Sequence, residues 1–180
     1  FRSNPFMLYS GQEVGERGMD EEGFSGRDGR TTIFDYWSVD SITRAYFSPA
    51  RLPKDQWQLM RDYHTLLQVA NHEKAVREGE TFDLMYVNSQ SWRLNPNAQF
   101  AFLRKKDKDL LLVVANFSAT PVGAAVIIPG HAFKFLGLPE KETFGVNLLN
   151  KVKQRVRLQA DGAIDVSLPA NGSVVLKIRL

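Results

Sequence analysis

The chain contains no cysteine in its 180 residues, so disulfides and cysteine-based metal sites are excluded. That absence fits any compartment and locates the protein in none. No apolar run approaches the ~20 residues that a membrane-crossing helix needs. Histidine is scarce, and His64 and His72 stand too far apart in sequence to share a metal ion without a third ligand. Both are expected at the surface or its boundary. No secretory leader is visible, and the first residue is Phe1 rather than Met, so the natural N-terminus is expected upstream. Repeats and low-complexity tracts are also missing.

What is present is ordinary for a globular protein: 43% apolar and 24% charged residues, in a length that allows one large or two small domains. The net charge of +3 is unevenly shared, with −4 over residues 1–85 (10 basic, 14 acidic) and +7 over 86–180 (13 basic, 6 acidic). A basic half can signal nucleic acid, but these residues are scattered, and no aromatics cluster among them, so no nucleic-acid partner is expected. Arg104, Lys105, Lys106 and Lys108 surround one turn. Lys151, Lys153, Arg155 and Arg157 alternate, as on one solvated face of a strand guarded against edge pairing.

Asn4 to Glu16 organises the first part of the chain. Phe6 to Tyr9 is a short continuous apolar run that reads as a strand buried on both faces, although periodicity alone leaves a buried helical segment open. Ser10-Gly11 breaks the run and delivers Gln12, Glu13 and Glu16 into a loop with Gly15. Polar groups just past the C-terminal end of such a strand are where α/β barrels hold substrate. The alternative is a core strand followed by an ordinary turn, with Glu13 as a cap. Arg17 to Arg51 reads as a long loop. Its acidic cluster Asp20-Glu21-Glu22, with Asp28, lacks the spacing of an EF-hand calcium loop. Ile33, Phe34, Tyr36 and Trp37 are too apolar for a free loop and should fold back or form a stacking surface for sugar rings.

From Pro53 to Ala70 the spacing predicts a helix, with Asp55 complementing its dipole and Leu59, Met60, Tyr63, Leu66, Leu67 and Ala70 forming one apolar face. Asn71 is expected to cap a second short helix, His72 to Glu78, which Gly79 stops. The period then changes. Short β-rich runs at 98–104, 110–116, 122–128, 144–149, 156–159, 164–168 and 173–180 are separated by turn chemistry, including Pro129-Gly130 and Pro169-Ala170-Asn171-Gly172. Asp161-Gly162 between two apolar runs is the strongest hairpin signal in the chain. Strands at this spacing predict an antiparallel β-sandwich from about Met85 to Leu180.

Gly11-Gln12-Glu13 after the first strand, the stretch Gly29-Arg30-Thr31-Thr32-Ile33-Phe34-Asp35-Tyr36-Trp37, and Leu168-Pro169-Ala170-Asn171-Gly172-Ser173-Val174-Val175-Leu176 at the close together resemble the α-amylase family of glycoside hydrolases (family 13). So does Phe100 to Arg104 followed by Leu111 to Ser118. The resemblance runs in the family's order over essentially the whole chain. It implies an α+β fragment: residues 1–84 are the end of a (β/α)8 barrel, with one strand, a long loop and one or two helices, and residues 85–180 are an antiparallel Greek-key β-sandwich.

The resemblance also implies an enzyme acting on α-linked glucans with retention of configuration, which needs two carboxyls about 5–5.5 Å apart. In the family these lie on earlier strands, so no catalytic residue is assigned here and the chain alone is expected to be inactive. Asn71-His72-Glu73 does not match the family's Asn-His-Asp, since it has Glu for Asp and follows a helix. Tyr9, Gln12, Glu13 and Trp37 are the candidate substrate contacts at the barrel rim. No cofactor is expected; calcium in a longer parent is compatible with the family but unsupported by this segment. Phe6–Tyr9, lacking barrel neighbours, is expected to pack on the following helix or to self-associate. The alternative function is a free-standing carbohydrate-binding β-sandwich with Trp37 and Trp92 as stacking platforms.

Overall fold

A computed structural model describes residues 6–16 and 40–180. The chain divides into two compact units, Ser3–Gln68 and Val69–Leu180. Trp37, the acidic cluster at 20–28 and the stretch 29–37 lie outside the described residues.

In the first unit, a single 3-10 turn spans Gln12–Val14, helix α1 spans Asp40–Phe47, and a second 3-10 turn, Pro49–Arg51, leads to helix α2, Lys54–His72. The Trp57 amide bonds back to the Pro53 carbonyl (2.9 Å), so Pro53 opens α2 without forfeiting a donor. Along α2, Leu59, Met60, Tyr63, Leu66 and Ala70 form a half-buried stripe, whereas Leu67 is exposed. The Arg61 guanidinium lies 5.5 Å from the Trp57 ring centre, an i, i+4 contact on the outer face.

Two expectations for this unit are corrected. Helix α1 occupies part of the expected loop. It is pinned by an Arg44–Asp40 ion pair (2.6 Å), and its covered face is made of small and mixed residues, Ser41, Ile42 and Ala45, which carry almost no apolar signal. Phe6 to Tyr9 is not a strand: it pairs with none among the described residues, and Phe6 and Met7 are 70% and 79% exposed. With no partner strand among the described residues, its backbone is left to water and, at Tyr9, to Gln12.

The second unit opens with the last turn of α2 and then helix α3, Lys74–Glu78. Glu73, not Asn71, stands at its N-cap. The strands follow: β1 Glu80–Asp83, β2 Gln99–Lys106, β3 Asp109–Asn116, β4 Val122–Ile128, β5 Lys141–Asn147, β6 Lys153–Leu158, β7 Gly162–Leu168 and β8 Ser173–Arg179. Helix α4, Met85–Asn88, follows β1, and helix α5, Gly130–Leu136, follows β4. All pairings are antiparallel, in a six-stranded sheet of order β1-β2-β3-β8-β5-β6 and a two-stranded sheet of β4 and β7. The larger sheet thus starts at β1, ahead of residue 85. In the larger sheet β8 returns to lie between β3 and β5.

Both sheets close on one core. Leu103, Leu112, Val114, Leu176 and Ile178 from the larger sheet meet Val126, Ile128, Val166 and Leu168 from the smaller. The outer face of the larger sheet carries a second cluster, in which Phe102, Leu111, Val113 and Val175 pack with Val69, Ala75 and Leu148. β3 is therefore covered on both faces, and this is why its sequence is a continuous apolar run rather than an alternating one. At the far edge, Lys153, Arg155 and Arg157 of β6 are exposed, alternating with half-buried Gln154 and buried Val156 and Leu158, as the alternation of charge predicts.

The turns hold further corrections. Asp161 takes a left-handed φ of 60°, as its turn signal suggests, yet β6 and β7 belong to different sheets. Asp161-Gly162 is thus a corner between layers, not a hairpin; turn chemistry sets the local bend but not the strand's partner. Pro129-Gly130 does not reverse the chain. It starts α5, which Gly137 ends in the left-handed conformation.

Candidate functional site

The loop that holds three of the four candidate residues is built around two glycines. Gly11 (φ 86°) and Gly15 (φ 64°) flank the Gln12–Val14 turn. A Cβ on Gly11 would lie 2.8 Å from the Glu16 Cβ, so both conformation and space demand glycine there. Val14 is fully buried and anchors the turn. The Gln12 amide donates to the Tyr9 carbonyl (3.0 Å), and the Glu16 amide to the Gly11 carbonyl (2.9 Å).

The side chains divide by role. Gln12 is engaged on both ends: its Oε1 accepts from the Tyr9 amide (3.3 Å) and its Nε2 donates to the Tyr63 hydroxyl on α2 (2.9 Å). Glu16 accepts a hydrogen bond from the buried Ser41 hydroxyl at the start of α1. Glu13, half-buried, has no hydrogen bond or ion pair among the described residues, while Tyr9 is 43% exposed. Tyr9, Gln12 and Glu13 are therefore brought together on one glycine-flanked loop. Trp37, the fourth candidate, lies outside the described residues.

The second unit holds a cleft of about 320 Å³ beside Trp92, lined by Arg93, Asn95, Gln99, Ser118 and Thr120. Trp92 is 92% exposed on the turn between α4 and β2. Arg93 lies 5.6 Å from the centre of its ring and is held by an ion pair to Asp165 on β7 (2.6 Å). Beneath the cleft, buried Gln99 and Asn116 tie three loops together. Gln99 accepts from the Asn95 amide (2.6 Å) and donates to Asn116 Oδ1 (3.1 Å), while Asn116 Nδ2 donates to the carbonyls of Thr120 (2.9 Å) and Pro169 (2.8 Å). Trp92 is visible in the sequence as an isolated aromatic. Its neighbours come from separate segments, and no local pattern joins them.

Elsewhere, Arg104 is buried beneath α3 and donates to the carbonyls of Ala75 (2.9 Å) and Val76 and to the Thr81 hydroxyl. Burial holds its pKa below the usual arginine value, against the opposing pull of Glu80. Among the described residues, no group of three or more His, Asp or Glu is arranged to hold a metal ion, and no helix is long and apolar enough to cross a membrane.

Residues 91–179 match the family described as alpha amylase, C-terminal all-beta domain. No curated protein matches the sequence. Among solved structures, AmyP in complex with maltotriose is similar over 71% of this chain and 22% of its own, with 16% identity and a TM-score of 0.51, which speaks to a shared fold. An Anoxybacillus alpha-amylase covers 72% of this chain and 23% of its own (16% identity, TM-score 0.49). The alpha-amylase of Geobacillus thermoleovorans, complexed with acarbose, covers 96% and 29% (16% identity, TM-score 0.48). The chain thus spans less than a third of the length of these proteins. Residues 91–179 belong to the alpha amylase C-terminal all-beta domain family.

Proposed function

We propose that this chain is the C-terminal part of a retaining, α-glucan-active glycoside hydrolase of the α-amylase type, non-catalytic by itself. Residues 1–84 would contribute the end of the (β/α)8 barrel and residues 85–180 the β domain. The observation that carries the proposal is the match of residues 91–179 to the α-amylase C-terminal domain. Two features of the first unit support it. Phe6, Met7, Tyr46 and Phe47 are exposed at 70%, 79%, 70% and 83%, as expected of elements built to be covered by further strands and helices. Glu13, half-buried on a glycine-braced loop, has no hydrogen bond or ion pair among the described residues, in keeping with a rim contact to substrate alongside Tyr9, Gln12 and Trp37. AmyP was solved with maltotriose and with maltose, so malto-oligosaccharides are the substrate class to test.

In this proposal the exposed Phe6–Tyr9 segment finds its neighbours in the parent barrel, and in the isolated chain it is the surface through which copies associate. Incubating the purified 180-residue chain with starch and maltodextrin should release no reducing sugar. Release in proportion to chain concentration would overturn the non-catalytic assignment.

A further inference from the structure

We propose that Trp92 and the cleft beside it form a binding site for the sugar rings of an α-glucan on the β unit itself. The sugar class is inferred here from the chemistry of the cleft; that the sugar is an α-glucan rests on the function proposed above.

A single exposed apolar side chain is normal and by itself means nothing. Trp92 differs in being both highly exposed and held. Its turn is fixed on each side: the Arg93 amide donates to the Ser91 hydroxyl (3.2 Å), Leu94 is buried, and the Arg93 carbonyl accepts from the Ala125 amide (3.3 Å). The Arg93 guanidinium, itself clamped by Asp165, sits over one side of the indole. With the turn already fixed, binding costs only the side-chain freedom of Trp92 itself.

The rest of the cleft selects the ligand's chemistry. Asn95 uses its Oδ1 to accept from the Asn97 amide (3.0 Å), and its side-chain NH2 has no partner among the described residues. The Ser118 and Thr120 hydroxyls pair with each other at 2.8 Å, leaving lone pairs and one hydrogen for a third group. Among the described residues Arg93 is the only cation lining the cleft, and Asp165 balances its charge, so an anionic ligand gains little from this lining and a nucleic-acid strand meets no basic groove in it. A purely apolar group would leave the Asn95 amide and the two hydroxyls without partners. A neutral ring with an apolar face and a rim of hydroxyls satisfies both the indole and its polar neighbours.

The test uses the full chain with 15N-labelled tryptophan, following the indole N–H signals of Trp37, Trp57 and Trp92 while maltoheptaose, and separately cellohexaose, is added to about 10 mM. Each signal is assigned by its own Trp→Phe substitution. Maltoheptaose should shift the Trp92 signal saturably, with Trp57 unmoved, and cellohexaose should bind more weakly. Trp92→Ala should weaken binding at least about tenfold, and Asn95→Ala about threefold. Trp92 is on the surface, so an unchanged urea midpoint certifies that the variant is folded. If neither sugar moves Trp92, the site is overturned. If maltoheptaose moves only the Trp37 signal, the site falls while the α-glucan function stands. If cellohexaose alone moves Trp92, the cleft binds sugar but the α-glucan assignment, and the function it rests on, fails.

Discussion

Replacing Arg104 by methionine tests a buried charge in the β unit. Arg104 is 3% exposed, on β2, and its fork reaches the Ala75 and Val76 carbonyls and the Thr81 hydroxyl. Those carbonyls lie in α3, whose last carbonyls have no partner within the helix. Methionine keeps most of the apolar stem and removes all the donors. Leaving a buried carbonyl unsatisfied costs ~1–3 kcal/mol, so two carbonyls amount to ~2–6 kcal/mol. Relief from holding a charge out of water returns part of that, which leaves a net loss of about 3 kcal/mol. Lysine keeps the charge but offers one donor head in place of a fork, so Arg104→Lys should fall between the two. Urea unfolding at neutral pH, followed by circular dichroism, gives the free energies, and unchanged m-values would show that the unfolding transition is the same in each variant. Amide exchange in α3 should speed up along the same order. If Arg104→Met stays within about 1 kcal/mol of the wild type, the hydrogen bonds described here do not hold α3 on the sheet.

Two other perturbations probe the same unit. Burial alone would lower the Lys177 pKa, but its hydrogen bonds to Glu73 (2.6 Å) and Asp109 (3.0 Å), with their charges, raise it above the usual lysine value. Its contribution to stability is therefore fully present below the unfolded value of about 10.4 and is lost as pH rises through the folded pKa. Urea midpoints measured on either side of that value should fall less steeply with pH for Lys177→Met than for the wild type; equal slopes would refute the assignment. Gly145 of β5 packs so closely on fully buried Leu176 that an added Cβ would sit 2.7 Å from the leucine Cγ and Cδ1. Gly145→Ala should cost ~1–3 kcal/mol by overpacking, and Leu176→Val should recover part of it in the double variant. Additive losses would show that the two positions do not touch.

The sequence determined those elements whose signal is local. The apolar face of α2, the β-rich runs after residue 98 and the alternating cations of β6 all follow from spacing along a few turns or pleats. So does the loop at Gly11 to Glu16, because glycine is needed where φ turns positive, and with it the clustering of Tyr9, Gln12 and Glu13. Tertiary structure alone decided what each element meets. Asp161-Gly162 bends the chain as its composition dictates, but whether the next strand joins β6 or crosses to β4 depends on which apolar face must close the core. Arg104 reads as one of four basic residues around a turn, yet its partner Ala75 lies 29 positions earlier, in a helix that must first dock on the sheet. Trp92 becomes a candidate site only because β7 supplies Asp165 and the β3–β4 loop supplies Ser118 and Thr120. Phe6 to Tyr9 has the composition of a buried strand and is exposed, because burial and pairing belong to neighbours and not to the segment itself.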